Sequence, residues 1–500
     1  MSSPPPGWTR YLVPRVQDLV FLGVFYLAIL LGPSFLGDGD PGKHVLIGEQ
    51  IVAHRSPQVY NDYSYTLSGL PIPTTEWLSE LIFALAHRLA GLDGVVLLSA
   101  LIVATTFTVV FRETVAGGAF YSVAAFLVIW GVLASLFHWL ARPHLITWLL
   151  LAIWTPLMLR LARGEPVRLW VFPVLMLLWA NMHGGFALGI LVWGACLGSW
   201  TYRYYFEKPR PPTKTLRNLV IVGGTSILVT LVNPAGLRLW ASIFGHVGSS
   251  GLMNRHAEWQ SPNFHEPNTL PFLLFLALIL LVLGRAGRRI SLEMSLLLAG
   301  FSVLGLYSVR NAPYLVIIAI PTCALLASAI LSDLFPTLGK ADSNIRSMER
   351  GVGGILWPVL ICLAVAGSVI SGHPLDATRQ GNNFNPALFP ARALDWLESH
   401  PQKGNMFNHF PWGGYILYRE WPRYRVFIDG QTEFYGPELT EEYASVAALN
   451  GDWQGVLDRY SIAWVIVPTG GVLAQLADSY PPWRVLYQDE TATILRRTAP

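Results

Sequence analysis

The sequence predicts a polytopic α-helical membrane protein of about eleven transmembrane helices, followed by a C-terminal extracytoplasmic α/β domain. Three observations predict it. Apolar stretches long enough to cross a bilayer recur along residues 1–372. The Lys and Arg residues between them gather on one side. From residue 373 onward the long apolar runs stop, and short helix and strand signals alternate.

With 53% hydrophobic and only 13% charged residues, the chain is too apolar for an ordinary soluble enzyme. A helix needs about 20 apolar residues to span roughly 30 Å of hydrocarbon. The candidate spans are 18–36, 93–111, 118–138, 144–160, 168–182, 186–202, 217–233, 269–284, 290–308, 312–332 and 352–372. The fifth and sixth are joined through Asn181-Met182-His183-Gly184-Gly185 and form a tight hairpin. Edges read this way are good to about two to four residues, so ten or twelve spans are alternatives.

Basic residues set the orientation. With the N-terminus inside, seventeen Lys and Arg before residue 373 fall on inner segments. Seven fall on outer ones: Lys43, Arg55, Arg88, Arg142, Arg238, Arg255 and Arg310. This is the positive-inside asymmetry of a plasma-membrane protein with a cytoplasmic N-terminus. The net charge of +3 therefore reports topology and not nucleic-acid binding. A cleaved signal peptide is an alternative for the first stretch, with Arg10 and Arg15 as its basic region, but no small-x-small site precedes Gly37-Asp38-Gly39-Asp40. Asp38 lies outside in either case. Cys196, Cys323 and Cys362 all fall in apolar spans and read as packing residues, with no disulfide framework. The absence of an Asn-x-Ser/Thr sequon fits a bacterial inner membrane.

Residues 1–372 thus form the membrane core, with an unusually long outer loop at 37–92, and residues 373–500 form the outer domain. Long loops in compact domains are usually functional. In this loop, His44–His54 reads as a short interfacial helix. Thr75–Leu89 reads as a second one, capped by Thr75, with Trp77, Leu78, Leu81, Ile82, Leu85 and Leu89 as one apolar stripe. Glu76 and Glu80 then fall on the opposite, polar face. In the outer domain, helices are expected at Pro386–Ser399, Leu439–Leu449 and Trp453–Tyr460. Strands are expected at Tyr415–Tyr418, Arg425–Ile428, Trp464–Val467 and Thr491–Leu495.

The sharpest chemical feature is Asp38-Gly39-Asp40, directly outside the first span. Two carboxylates there suit a divalent metal or a general base; a solvated membrane exit is the plain alternative. His44 lies four residues on, close enough to join them. Arg142-Pro143-His144, His183-Gly184-Gly185, Asn233-Pro234-Ala235-Gly236, Glu258-Trp259-Gln260-Ser261-Pro262 and Arg310-Asn311 all cluster at outer ends of spans. Ionisable residues at membrane depth usually face a bundle interior or a wet cavity, so these segments are expected to converge on one pocket. Arg142 and Arg310 suit an anionic phosphate; snorkelling to lipid headgroups is the alternative for each. No nucleotide-cradling loop, thiol metal pattern or nucleophile elbow is present, which argues against an ATP-driven pump.

Several of these motifs, in this order, resemble the first periplasmic loop of bacterial GT-C-type integral membrane glycosyltransferases. They are Asp38-x-Asp40-x3-His44-x3-Gly48, Tyr63-Ser64-Tyr65-Thr66 and Glu76-Trp77-Leu78-x-Glu80. Arg142-Pro143, Asn181-x-His183-Gly184, Asn233-Pro234, Arg310-Asn311, Trp412-Gly413-Gly414-Tyr415 and Asp429-Gly430-x3-Phe434-Tyr435-Gly436 look like markers of one branch of that family. Two positions depart from its pattern: Gly42-Lys43 replaces an aromatic pair, and Gln431 replaces an Arg.

The resemblance implies a GT-C fold and transfer of a sugar from a polyprenyl-phosphate donor to a glycan, lipid or protein acceptor at the outer face. It implies Asp38 as base, Asp40 next, with Arg142 or Arg310 stabilising the departing phosphate. His44, Glu76, Glu80 and His183 are further substrate-pocket candidates. A divalent metal on Asp38 or Asp40 stays open, and no other cofactor is implied. Two other readings compete: a transporter or flippase of a lipid-linked or small solute, although no internal repeat is visible, and a membrane-anchored scaffold.

Overall fold

The structure is a computed structural model that describes residues 7, 9–72, 74–248, 257–286, 290–375, 381–476, 480 and 482–498. Arg255, Arg288 and Arg289, counted in the charge asymmetry, lie outside these residues.

The chain is mostly helical. In order, the helices up to residue 372 are α1 (Val16–Leu30), α2 (Asp40–His54), α3 (Trp77–Ala116), α4 (Tyr121–Leu133), α5 (His144–Ala162) and α6 (Val171–Met182). Then come α7 (Phe186–Phe206), α8 (Thr213–Val229), α9 (Arg238–Gly248), α10 (Leu270–Ala286), α11 (Leu292–Tyr307), α12 (Ala312–Leu334), α13 (Pro336–Arg350) and α14 (Leu356–Ile370). A helix stands at each expected span. Among the described residues, three helices are long and apolar enough to cross a membrane by length and composition: Trp77–Ala116, His144–Ala162 and Val309–Leu334, which includes the short turn before α12. Six more apolar helices run 10–17 residues.

Two faces emerge from the polar contacts. At one end, Arg15 donates to the Val352 carbonyl (Nη2–O 2.6 Å), and Asp18 accepts from the Ile355 amide (3.0 Å). Nearby, Asp342 accepts from the Tyr121 amide (2.7 Å), Arg346 donates to the Ala119 carbonyl (2.6 Å), and Arg160 bonds Glu113. These residues lie in the segments that the charge pattern assigns to the inside or at the ends of the spans next to them. Asp38, Arg142, Glu258 and the C-terminal segment meet at the opposite end. The core between them is large apolar side chains, with Trp139, Trp148, Trp154, Trp179 and Phe107 fully buried.

Helix α3 joins two expected elements. It breaks from helical geometry at Ala90 and Gly91, so the interfacial helix and the second span are its two halves. Thr75 is not its cap: the helix starts at Trp77, with Glu76 in the capping position. The two predicted faces are kept near its start. Glu80 is 5% exposed, while Leu85 and Leu89 are 47% and 64% exposed. Tertiary packing against α2 takes the carboxylate face inward and leaves the leucines outside.

Beyond residue 390 the chain forms helices α15 (Ala391–Ser399), α16 (Gly413–Glu420), α17 (Thr432–Ala447) and α18 (Trp453–Arg459). Four strands, β1 (Asn405–Asn408), β2 (Ile462–Pro468), β3 (Trp483–Gln488) and β4 (Ala492–Arg497), make one sheet in the order β1-β2-β4-β3. β1 and β2 are parallel; β4 runs antiparallel to both its neighbours. The β3–β4 turn is closed by Asp489, whose Oδ1 accepts from the Thr491 and Ala492 amides at 2.7 Å.

Two predicted strands are corrected. Tyr415–Tyr418 lies in α16, because Tyr415, Ile416 and Leu417 are all buried and a short, continuously apolar run fits a buried helix as well as a strand. Arg425–Ile428 forms no strand; its Val426 makes an isolated bridge with Ser64. There the Val426 amide donates to the Tyr63 carbonyl (3.1 Å), and Thr66 Oγ1 donates to the Phe427 carbonyl (2.8 Å). The Tyr63–Thr66 motif of the long loop therefore pins that loop to the C-terminal segment.

Candidate active site

The site begins where α2 leaves the first helix. Asp38 Oδ1 accepts the Asp40 amide (3.0 Å), and Pro41 follows in the first turn, where its missing N–H costs nothing. Asp40, His44 and Gly48 recur at four-residue intervals and so share one helix face. A Cβ on Gly48 would lie 2.0 Å from the Glu80 carbonyl oxygen. Glycine here lets α2 touch α3, and one turn away this brings His44 Nδ1 to 3.4 Å from Glu80 Oε1.

Arg142 precedes α5, in a loop held by the bond from the Ala141 amide to the Phe35 carbonyl (2.8 Å). Its guanidinium serves three carboxylates. Nη2 bonds Asp38 Oδ2 and lies 3.1 Å from Asp40 Oδ2, and Nη1 donates to Glu258 Oε2 at 3.1 Å. Burial, with Asp40 and Glu258 beside it, pushes the Asp38 carboxyl up to about 7 against the pull of Arg142. Glu258 goes the other way. Burial opposes its charge, but Arg142, His138 and Arg310 outweigh it and hold Glu258 at about 2. Neighbouring carboxylates pushed apart in this manner make the turn a candidate site for proton transfer.

A cavity of about 480 Å³ opens beside this centre. Asp40, His44, Glu76, Glu80, Arg142, His183 and Arg310 all line it, so seven of the eight predicted site residues share one wall system. Asp38 is not on that wall and meets it through Arg142. Arg310 sits with its guanidinium 4.2 Å from the centre of the Trp259 ring. Among the described residues no carboxylate lies within ion-pair distance of Arg310. Asn233–Gly236, expected in the same pocket, does not line it. Asn233 Oδ1 instead accepts from the Ala235 and Gly236 amides (2.8 and 2.9 Å) and closes its own turn.

His183 is held by a relay. Trp179 Nε1 donates to Thr147 Oγ1 (2.8 Å), and Thr147 Oγ1 and the Gly185 amide meet His183 Nδ1 at 2.8 and 2.9 Å. The amide can only donate, so Nδ1 is the acceptor and Nε2 carries the proton, 3.6 Å from Glu76 Oε1.

The C-terminal segment supplies the remaining wall through Gly430 and Gln431. Lys43, in the sequence an outer basic residue and a departure from the family pattern, donates to Asp429 Oδ1 (2.5 Å) and Gln431 Oε1 (3.0 Å). Tyr435 donates to Asp429 Oδ2 (2.9 Å), and Asn408 binds both sides of the turn through the Phe427 amide and the Ile428 carbonyl (each 2.9 Å). A Cβ on Gly430 would stand 2.1 Å from Asp40 Oδ1, and one on Gly414 2.5 Å from the Gly39 carbonyl. Both glycine motifs of this segment thus mark where it presses on the Asp38–Asp40 turn. Tyr314, a tyrosine within an apolar helix, also lines the cavity; no spacing or charge pattern pointed to it.

A metal on Asp38 and Asp40 does not fit this arrangement. Arg142 already reaches both carboxylates, so the pair faces a guanidinium and not an open cation seat.

No known family model matches the chain, and no curated protein matches it. Solved structures do. An archaeal oligosaccharyltransferase, AglB from Archaeoglobus fulgidus, in complex with an inhibitory peptide and a dolichol-phosphate, superposes with TM-score 0.60. The identity is 12%, over 91% of this chain and 70% of that one. A second structure of an Archaeoglobus fulgidus oligosaccharyltransferase, tethered to an acceptor peptide containing the NVT sequon, gives 0.55 at 12% identity over 90% and 69%. ArnT from Cupriavidus metallidurans, bound to undecaprenyl phosphate, matches at TM-score 0.45 and 14% identity over 95% and 97%. The likeness is one of fold: the chain is built like a GT-C-type membrane glycosyltransferase.

Proposed function

We propose that this protein is an integral membrane glycosyltransferase that moves a sugar from a polyprenyl-phosphate-linked donor to an acceptor hydroxyl. The observation that carries the reading is the convergence of Asp40, Arg142, Glu258 and Arg310 on one cavity from separate segments, with Asp38 held behind Asp40 by Arg142. The fold supports it, since the AglB structure holds a dolichol-phosphate.

In this reading the donor's tail lies in the bilayer, and its phosphate enters the cavity beside Arg310. The acceptor O–H gives its proton to the Asp38–Asp40 pair as its oxygen attacks the anomeric carbon. The bond from that carbon to the phosphate oxygen breaks, and the lipid phosphate leaves with the electron pair. Asp38 is matched to the task because its raised proton affinity sits near neutral pH. Asp40 presents the carboxylate edge to the cavity, and Arg142 holds both. Arg310 meets the charge that develops on the phosphate. The chain sits in a bacterial inner membrane with the carboxylate pair on the outer face. The residues after 373 form an outer α/β domain that closes the cavity and borders the acceptor.

Mass spectrometry of lipid-linked sugars and envelope glycans, with and without the gene, tests this reading. Accumulated donor together with one missing sugar is expected and names both substrates. Solute flux across proteoliposomes without bond cleavage would replace the reading with a transporter.

A further inference from the structure

We infer that the C-terminal segment carries a second pocket, separate from the Asp40–Arg142 cavity, that binds a neutral sugar residue of a glycan chain. Glu398, Arg419, Glu420, Trp421, Pro422 and Arg423 line it, and its volume is about 380 Å³, within the range of ligand sites at about 300–1,000 Å³. It shares no lining residue with the first cavity. Helix α16 joins the two. Gly414, in its first turn, presses on the Gly39 carbonyl, and Glu420 ends the helix. Six residues at about 1.5 Å each put these points roughly 9 Å apart.

Two buried atoms of this pocket lack a partner among the described residues. The Glu420 side chain is only 2% exposed, yet its Oε1 accepts no hydrogen bond. Its Oε2 has a loose contact, 3.3 Å from Arg423 Nη1, where a charge-assisted bond runs about 2.7–2.9 Å. Burial raises the proton affinity of this carboxyl against the pull of Arg423, and the negative end of the α16 dipole adds to the cost of its charge. On the next residue, the Trp421 indole Nε1 is buried and donates to nothing, although a buried Trp N–H ordinarily finds an acceptor. Buried polar atoms are nearly always paired. An orphan acceptor and an orphan donor on adjacent residues of one pocket therefore mark where a ligand's atoms complete the set.

The walls select the ligand. A group that both gives and takes hydrogen bonds answers Glu420 and Trp421 together, and a hydroxyl is such a group. Among the lining residues Arg419 and Arg423 balance Glu398 and Glu420, so neither an anion nor a cation is favoured. Arg419 is already held by the Tyr415 hydroxyl (3.1 Å) and Asp395 (2.8 Å), which removes it as a free phosphate ligand. Trp421 and Pro422 offer an apolar surface to the C–H face of a ring. This combination fits a sugar better than a lipid tail, a phosphate or an amine. Only the assignment of that sugar to the acceptor glycan rests on the transferase reading; the binding itself does not.

The full chain in nanodiscs is titrated with the methyl glycosides of glucose, galactose, mannose and N-acetylglucosamine, with glucuronate and glucosamine as charged comparators, and read by saturation-transfer NMR. Saturable binding of at least one neutral glycoside is expected. Glu420→Gln should weaken it about tenfold or more and Trp421→Phe about threefold to tenfold, the sizes for one lost hydrogen bond to a charged and to a neutral group. Asp38→Asn should leave it unchanged. Glu398→Gln alters a side chain 58% exposed, so it folds regardless; binding weakened about threefold there decides the matter should the buried variants misfold. Four results would overturn the inference: no neutral glycoside binds, a charged comparator binds more tightly, Asp38→Asn abolishes binding, or every folded pocket variant binds like wild type. Absent sugar transfer with this binding intact would sink the proposed reaction and leave the pocket standing.

Discussion

Lys43 and Asp429, 386 residues apart, form a buried ion pair, with Nζ 2.5 Å from Oδ1 and side chains 5% and 1% exposed. The pair clamps the first outer loop to the C-terminal segment at the cavity wall. Breaking a buried pair from one side leaves the other charge uncompensated, at a cost of about 3–5 kcal/mol. Lys43→Met is therefore expected to lower the thermal unfolding midpoint in detergent and to open the C-terminal segment to proteolysis. Lys43→Met combined with Asp429→Leu should recover most of the loss. An unshifted midpoint in the single variant would show that the clamp carries no load.

Gly430→Ala tests the wall itself. The added methyl would meet Asp40 Oδ1 at 2.1 Å, and Asp40 cannot swing freely because Arg142 lies 3.1 Å from its other oxygen. The expected outcome is a folded protein with sugar transfer reduced about tenfold to a hundredfold, as displaced catalytic groups give. Wild-type turnover in this variant would remove Asp40 from the reaction.

Asp38→Asn is expected to leave the protein inserted and to cut transfer about 10²–10⁴-fold, the range for a lost general base. The pH profile supplies a second readout. Asp38 titrates near 7 because burial disfavours its charge, and the base must be ionised. Activity should be present above that value and fall as pH drops through it. Stability has the opposite sense. A carboxyl whose proton affinity is raised on folding favours the folded state most when protonated, so this contribution fades as pH rises from about 4 through 7. A flat activity profile between pH 5 and 8, with pH-tolerant substrates, would count against Asp38.

Arg310 and Arg142 should separate in kinetics. Arg310 contacts Trp259 and the cavity, so Arg310→Met should keep the fold and lower kcat/KM for the lipid donor about 10²–10³-fold. Arg142→Met strips the counter-charge from three carboxylates and should reduce the yield of folded protein as well. Equal donor kinetics in Arg310→Met and wild type would place the phosphate elsewhere.

The apolar runs were legible because a helix in hydrocarbon satisfies its own backbone, so length and composition suffice to mark it. The residues that line the cavity were legible because polar groups at the ends of such runs stand out against their surroundings. Tyr415–Leu417 was not, since three adjacent buried residues show no period and fit strand or helix alike. β1 was missed for a related reason: Asn405-Met406-Phe407-Asn408 is four residues long and lacks alternation. Glu80 was legible as part of a polar face and as a pocket candidate, but the depth of its burial was not. Its burial comes from α2 lying across that helix at Gly48.

By itself, then, the amino-acid order determined the helical membrane class, the grouping of basic loops at one end, and which acids, histidines and arginines gather at the other. Those properties depend on local hydrophobic length and charge. Only the folded chain decided the pairings: Arg142 with Asp38, Asp40 and Glu258, Lys43 with Asp429, and His44 with Glu80. Each joins segments far apart in the chain, across distances of a few ångströms that are set by how closely backbones approach at glycines. Such contacts exist only once the helices have packed.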